Sequence, residues 1–372
     1  MNEDKAARYQ RHKRWVSVSA LGWSVALLAA LLGSGASVAL REFAQKTSVS
    51  VWGLEAPATT VIVYLGGLWI LHAIGELGLG LYGGFILERR YGLSTQTIGG
   101  WAADQAKALG VALVLGGVAA SVTYWTMRVT SAWWWLLSGG LFATLFAVLA
   151  NLAPIVLLPL FYAVKPITRA SLSERLMALS ERAGARVLGV YEWGLGDKSR
   201  KANAALAGLG STRRILVSDT MLADYSDDEI EVVLAHELAH HVHGDIWKGL
   251  IFDSVLTVSG LFVAARILES LSASFGLLGV SDVAGLPLLL LSVGAVSIVM
   301  VPVAHALSRA HERRADRFAL ELTRNPNAFI SAMRRLGAQN LAEEHPSTLV
   351  QWLFYSHPPI GELIEAAPVF RA

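Results

Sequence analysis

Apolar positions fall in long, nearly unbroken runs, and six of these are long enough to cross a bilayer. A spanning helix needs about 20 mainly apolar residues. The pattern predicts such helices over 16–40, 59–87, 106–127, 133–162, 247–268 and 283–307. The first follows a basic start (Lys5, Arg8, Arg11, Lys13, Arg14) and is too long for the apolar core of a signal peptide, so it reads as an uncleaved span. The fourth is overlong and holds Asn151, Pro154 and Pro159, so seven spans stand as the alternative to six. The Trp-rich run at 133–135 reads as an interfacial belt.

The pattern changes over 165–245. Residues 166–183 carry the 3.6-residue period of an amphipathic helix, ended by Gly184. Residues 187–193 and 214–218 are β-prone, and the Gly-rich stretch between them predicts a small hairpin-like sheet. An exposed edge there could hold an extended peptide, although an ordinary hairpin fits the spacing equally well. Ser226 and Glu229 form a capping box that opens a helix running to Gly244. In the polar loop 88–97, Ser94 or Thr95 is expected to cap the helix that follows. Beyond the sixth span, 308–322 reads as a charged helix stopped by Asn325-Pro326, and 327–372 as two or three short helices. The organisation expected is a four-span region (1–162), a cytoplasmic segment (163–246), two further spans (247–307) and a C-terminal segment (308–372).

Composition agrees with the membrane reading. Hydrophobic residues make up 54% and charged residues 16%, against about 25% charged in soluble domains. A net charge of +2 implies no general affinity for nucleic acid. With no cysteine, the chain has no disulfide, thiolate metal site or cysteine nucleophile. The Lys/Arg bias of the loops places both termini and the 165–245 segment on the cytoplasmic side.

The candidate chemistry lies in residues 232–244, which contain His236, Glu237 and His240 as H-E-x-x-H. Residues four apart share a helix face, so the two imidazoles can meet one metal ion, with Glu237 beside it. Zinc with three protein ligands keeps a position for water and lowers its pKa to about 7, and a neighbouring carboxylate can act as base. His241 and His243 lie off that face and are read as solvated or supporting. Glu312 and Asp316 sit one turn apart on a later helix. A carboxylate there could complete a two-His, one-Glu site, and Asp316 could orient a ligand His. A plain solvated helix laced with Arg313, Arg314 and Arg317 is the alternative. His72 and Glu76, inside the second span, form either a structural pair or part of a wet cavity. His305, near the end of the sixth span, either faces a cavity or, more simply, is a packed interfacial residue. His357, held before Pro358-Pro359, could donate to an oxyanion or simply mark a turn.

Five segments together, FILERRYGLSTQT, ANAALAGLGSTRRILVSDTML, VLAHELAHHVHGD, ERRADRFAL and YSHPP, resemble the CAAX prenyl protease 1 family of integral-membrane zinc metalloendopeptidases. The resemblance spans roughly 60–365. It implies one zinc ion on His236, His240 and Glu312, with Glu237 as catalytic base and Asp316 as the second acid of the E-x-x-x-D helix. It implies that Asn203, Ala204 and Ala205 lie in the segment that aligns the substrate backbone, and that His357 stabilises the transition state. Where the family often carries an aromatic after Asn-Ala, this chain has Ala205. The expected fold is an all-α integral membrane protein, with six or seven transmembrane helices around a chamber and a small α+β zinc-protease domain. The expected function is hydrolysis of membrane-associated peptides or proteins, with membrane lipids as further partners. Removal of the C-terminal tripeptide of prenylated proteins, or an inactive membrane scaffold, are the alternatives. The expected location is a bacterial inner membrane with a cytoplasmic active site.

Overall fold

The structure, a computed structural model, describes residues 3–52, 57–152, 156–208 and 213–366. Helix α1 (Glu3–Gly33) is followed by α2 (Ala36–Trp52), α3 (Pro57–Arg90), α4 (Ile98–Val129) and α5 (Trp134–Leu152). Among the described residues six helices are long and apolar enough to span a membrane: α1, α3, α4 and α5, then α9 (Asp245–Leu271) and α10 (Leu286–Thr323). The count expected from the pattern holds, but two boundaries do not. The run 16–40 breaks at Ser34-Gly35, where Gly35 takes a left-handed φ of 75° that ends α1. The overlong fourth run supplies a span only as far as Leu152; of its breakers, Pro154 lies outside the described residues and Pro159 starts a single helical turn. Thr97, rather than Ser94 or Thr95, caps α4, accepting from the Gly100 amide at 3.1 Å.

Helices α1 and α3 run side by side in opposite directions. Tyr9 and Lys13 of α1 bond Glu88 near the end of α3 (2.6 and 3.1 Å), and the Trp23 indole donates to the His72 carbonyl (3.2 Å). Lys201 closes on the other oxygen of Glu88 (3.1 Å), tying the first span to the segment that leads into the sheet. At the opposite end of the spans, buried Arg41 of α2 pairs with Asp282 at 2.6 Å, and Ser37 donates to the Ala284 carbonyl. A core of Tyr64, Tyr124, Trp134, Leu261, Leu268 and Leu288 fills this half.

The second half is built from β1 (Val164–Pro166), α6 (Ala170–Arg182), β2 (Val190–Trp193), β3 (Ala204–Ala207), β4 (Arg214–Ser218), α7 (Asp219–Asp224) and α8 (Asp227–Val242). Helices α11 (Pro326–Asn340), α12 (Thr348–Phe354) and α13 (Ile360–Ala366) follow α10. The sheet corrects the expected hairpin. Its order is β1-β2-β4-β3; β2 and β4 pair in parallel, and the antiparallel partner of β4 is β3, at the edge. β1 ends at Pro166, the first residue of the helical period, and α6 starts only at Ala170. Ile230, Leu234 and Leu238 turn one face of α8 into a core shared with Leu172, Leu176 and Leu179 of α6, Ile215 and Val217 of β4, and Phe329 of α11. Burying each of those side chains contributes roughly 1.5–3 kcal/mol, which fixes the rotation of α8 and hence what its other face presents.

Candidate metal centre

Helix α8 starts as the capping box requires. Ser226 Oγ accepts from the Glu229 amide, and the Glu229 carboxylate accepts from the Ser226 amide at 2.8 Å. It ends at Gly244, whose left-handed φ of 66° turns the chain sharply into α9. The face away from the core carries His236, Glu237 and His240. The third element comes from a long way off in sequence. The sixth span and the charged helix after it are one continuous 38-residue helix, α10, which delivers Glu312 and Asp316 to the same place.

The ligand atoms converge. His236 Nε2 and His240 Nε2 stand 3.3 Å apart, and the Glu312 carboxylate lies 3.2 Å from the first and 3.5 Å from the second. Tetrahedral ligands at 2.0–2.1 Å from a zinc ion lie about 3.3 Å from one another, so the spacing fits a small dication. The outer ring nitrogens are held as well. His236 Nδ1 meets Asp316 at 2.8 Å and His240 Nδ1 meets Asp245 at 3.1 Å. An ionised carboxylate only accepts, so each Nδ1 would donate to its carboxylate, and with a metal bound each Nε2 would turn a lone pair inward.

Burial, the largest influence on His236, disfavours its charged form, but hydrogen bonds to Asp316 and Glu312 outweigh it and push the imidazole up to about 10. The same negative field favours a bound cation. Burial also raises the Glu237 carboxyl, opposed by the neighbouring imidazoles of His236 and His240. A base with a raised pKa, next to the cluster, is suited to take and return a proton near neutral pH.

His357 approaches from the far side, its Nε2 3.4 Å from Glu312, with its ring mostly exposed. Buried Arg309 of α10 positions that turn by donating to the carbonyls of Gln351 (3.0 Å) and Tyr355 (2.7 Å). Asn203 is exposed at the start of β3. Its amide donates to Ser218 Oγ at 3.0 Å, and its carbonyl accepts from the Ser218 amide at 2.9 Å. Ala204 and Ala205 continue into β3, which packs on α8. The remaining histidines stay outside the cluster. The His243 ring stacks edge-on against Phe318, His72 Nε2 bonds Ser24 at 2.9 Å with Glu76 at 3.6 Å, and His305 faces the Trp352 carbonyl.

Three contributors escaped the sequence reading. Asp245 follows the helix-ending Gly244 and looks like an ordinary first-turn acid of α9. Yet it also binds Arg314 and lies 3.3 Å from Lys248. Arg309 sits in an arginine-rich run and is distinguished only by its burial. Ser218 caps α7 and holds Asn203 with the same oxygen.

Comparison with known proteins adds independent findings. Residues 166–368 match the model of peptidase family M48, and residues 2–163 match a CAAX prenyl protease N-terminal region described as five membrane helices. An uncharacterized metalloprotease, YhfN of Bacillus subtilis, is 30% identical over 288 residues, covering 76% of this chain and 68% of that one. CAAX prenyl protease 1 of Saccharomyces cerevisiae is 26% identical over 329 residues, covering 82% and 71%. The crystal structure of S. mikatae Ste24p superposes with a TM-score of 0.88 at 22% identity, covering 98% of this chain and 88% of that one.

Proposed function

The chain belongs to peptidase family M48 and is a multi-pass membrane metalloendopeptidase, and from that premise we propose that it uses one zinc ion held by His236, His240 and Glu312. The observation that carries this reading is the 3.2–3.5 Å spacing among two imidazole nitrogens and the Glu312 carboxylate, brought from two separate helices. When bound, such an ion supplies Lewis acidity to a scissile carbonyl and makes water more acidic. The protein's own groups do the rest. Glu237 takes a proton from the attacking water and hands it to the leaving amine. Asp316 and Asp245 hold the two imidazoles in one tautomer. His357 donates to the oxyanion as it develops. The exposed edge of β3, entered at Asn203 and continued by Ala204 and Ala205, pairs with an extended peptide.

The substrates we propose are membrane-associated peptides or proteins. Prenylated C-termini are the second reading, favoured by the relatives named CAAX prenyl protease 1. The location we propose is a bacterial inner membrane with the site facing the cytoplasm, supported by the basic start of α1 on the same end as the metal cluster. Because the chain has no cysteine, Arg186→Cys and Glu42→Cys can be labelled separately; labelling of position 186 from outside intact cells would reverse the assignment.

The decisive experiment is cleavage of farnesylated and unmodified peptides by the parent and by Glu237→Gln, with the metal counted in both. Glu237→Gln is expected to keep its zinc and lose at least roughly a hundredfold in kcat. Parent-like cleavage by that variant would overturn the mechanism. Cleavage confined to farnesylated peptides would select the second reading.

A further inference from the structure

At the end of the spans opposite the metal cluster, four basic residues occur among the described residues: Arg41, Lys46, Arg128 and Arg266. Arg266 is satisfied by Glu269 at 2.8 Å and by the face of Phe262. The other three line a single cavity of about 760 Å³ between α2, the start of α3, the end of α4 and the loop before α10. Arg41 is nine-tenths buried, with one nitrogen on Asp282 and its Nε without a partner. Lys46 and Arg128 reach the cavity without a carboxylate partner among the described residues.

Basic residues are disfavoured on this side by the orientation proposed above. Two exposed cations without a carboxylate partner, lining one cavity beside the buried Arg41–Asp282 pair, leave it a net positive charge that suits an anion. An apolar wall is supplied by Val49, Val61, Leu278 and Val283. The volume lies in the range of sites for drug-sized ligands, roughly 300–1,000 Å³. A small inorganic anion would leave that wall uncovered; a phosphate carried on acyl chains covers both halves. We propose that this cavity is a binding site for the phosphodiester headgroup of an anionic phospholipid, with Lys46 and Arg128 on the phosphate and the apolar wall against the chains. Basic pockets between membrane helices bind anionic lipid headgroups.

The test is native mass spectrometry of the full chain in detergent, titrated with phosphatidylglycerol or phosphatidylcholine, beside thermal unfolding with inorganic phosphate. The parent is expected to bind phosphatidylglycerol more tightly than phosphatidylcholine. The double variant Lys46→Ala, Arg128→Ala should weaken phosphatidylglycerol by roughly tenfold or more and leave phosphatidylcholine unchanged. Arg266→Ala, on the same side, should change neither. If the double variant is not recovered folded, Lys46→Gln alone carries the test, with an expected loss of roughly threefold or more. Equal phosphatidylglycerol affinity in parent and cavity variants overturns the site. So does equal affinity for the two lipids. Stabilisation by inorganic phosphate that matches the lipid's assigns the cavity to a free anion instead.

Discussion

Asp245 shows how much of the centre depends on residues that touch no substrate. It accepts the hydrogen bond of His240 Nδ1 and is itself held by Arg314 of α10 and Lys248 of α9. Losing such an outer carboxylate typically costs 10–100-fold in metal affinity or activity. Asp245→Ala is therefore expected to lose zinc to a chelator at roughly ten times lower chelator concentration or less, with Asp245→Asn in between. Chelator curves that coincide with the parent's would remove Asp245 from the centre. At this scale the pair His236 and His240 was legible because four-residue spacing is itself a statement about one helix face. Asp245 was not, because the left-handed turn at Gly244 folds it back onto a residue five positions earlier, and no helical period contains that turn.

Among the elements, α8 depends most on its first turn. Glu229 is buried there, which alone would raise its carboxyl. Hydrogen bonds from Ser331 (2.6 Å) and the Ser226 amide, with Arg335 nearby, outweigh burial and hold it below the ordinary carboxylate value of 4.5. A depressed folded pKa means that the unfolded chain binds the proton more readily. The contribution is therefore fully present above pH 4.5 and is lost as pH falls below that toward the folded value. Glu229→Gln should lower stability by about 1 kcal/mol at pH 7, and the gap should close as pH drops below 4.5. Melting curves of the two proteins at both pH values decide this; a gap that persists in acid would mean that packing, not charge, is at stake. The capping box announced itself in four residues. β3 gave no such notice, because Ala204–Ala207 is too short and too uniform to alternate, and only pairing with β4 makes it a strand. Nor did the pattern reveal that α10 is a single helix. Its chemistry switches from apolar to charged near residue 308 while the helix runs on, even through Pro302.

For the whole molecule, the metal would act as a cross-link. Its proposed ligands come from α8 and α10, separated by the whole of α9 and the loop after it. An ion that binds only the folded state stabilises it by about 4 kcal/mol at a thousand times its Kd. Stripping zinc with a chelator should therefore lower the melting temperature as well as stop cleavage, and restoring zinc should recover both. Loss of cleavage with an unmoved melting temperature would mean that other contacts already hold the two helices together.

The unbroken helix α10 also acts as a lever. From mid-span to Glu312 is about 15 residues, or roughly 20 Å at 1.5 Å per residue. A tilt of about 2° in the span would move the carboxylate by about 0.7 Å, beyond the roughly 0.5 Å within which a working site must be held. Spans tilt when the surrounding hydrocarbon is thinner or thicker than they are. Turnover of a soluble peptide should therefore pass through a maximum as acyl chains are lengthened from 14 to 22 carbons, a series chosen to run from about too thin to about too thick. A flat series would mean that α8 and α9 clamp Glu312 independently of the bilayer. A peaked one would make the thickness of the host membrane a setting on the enzyme.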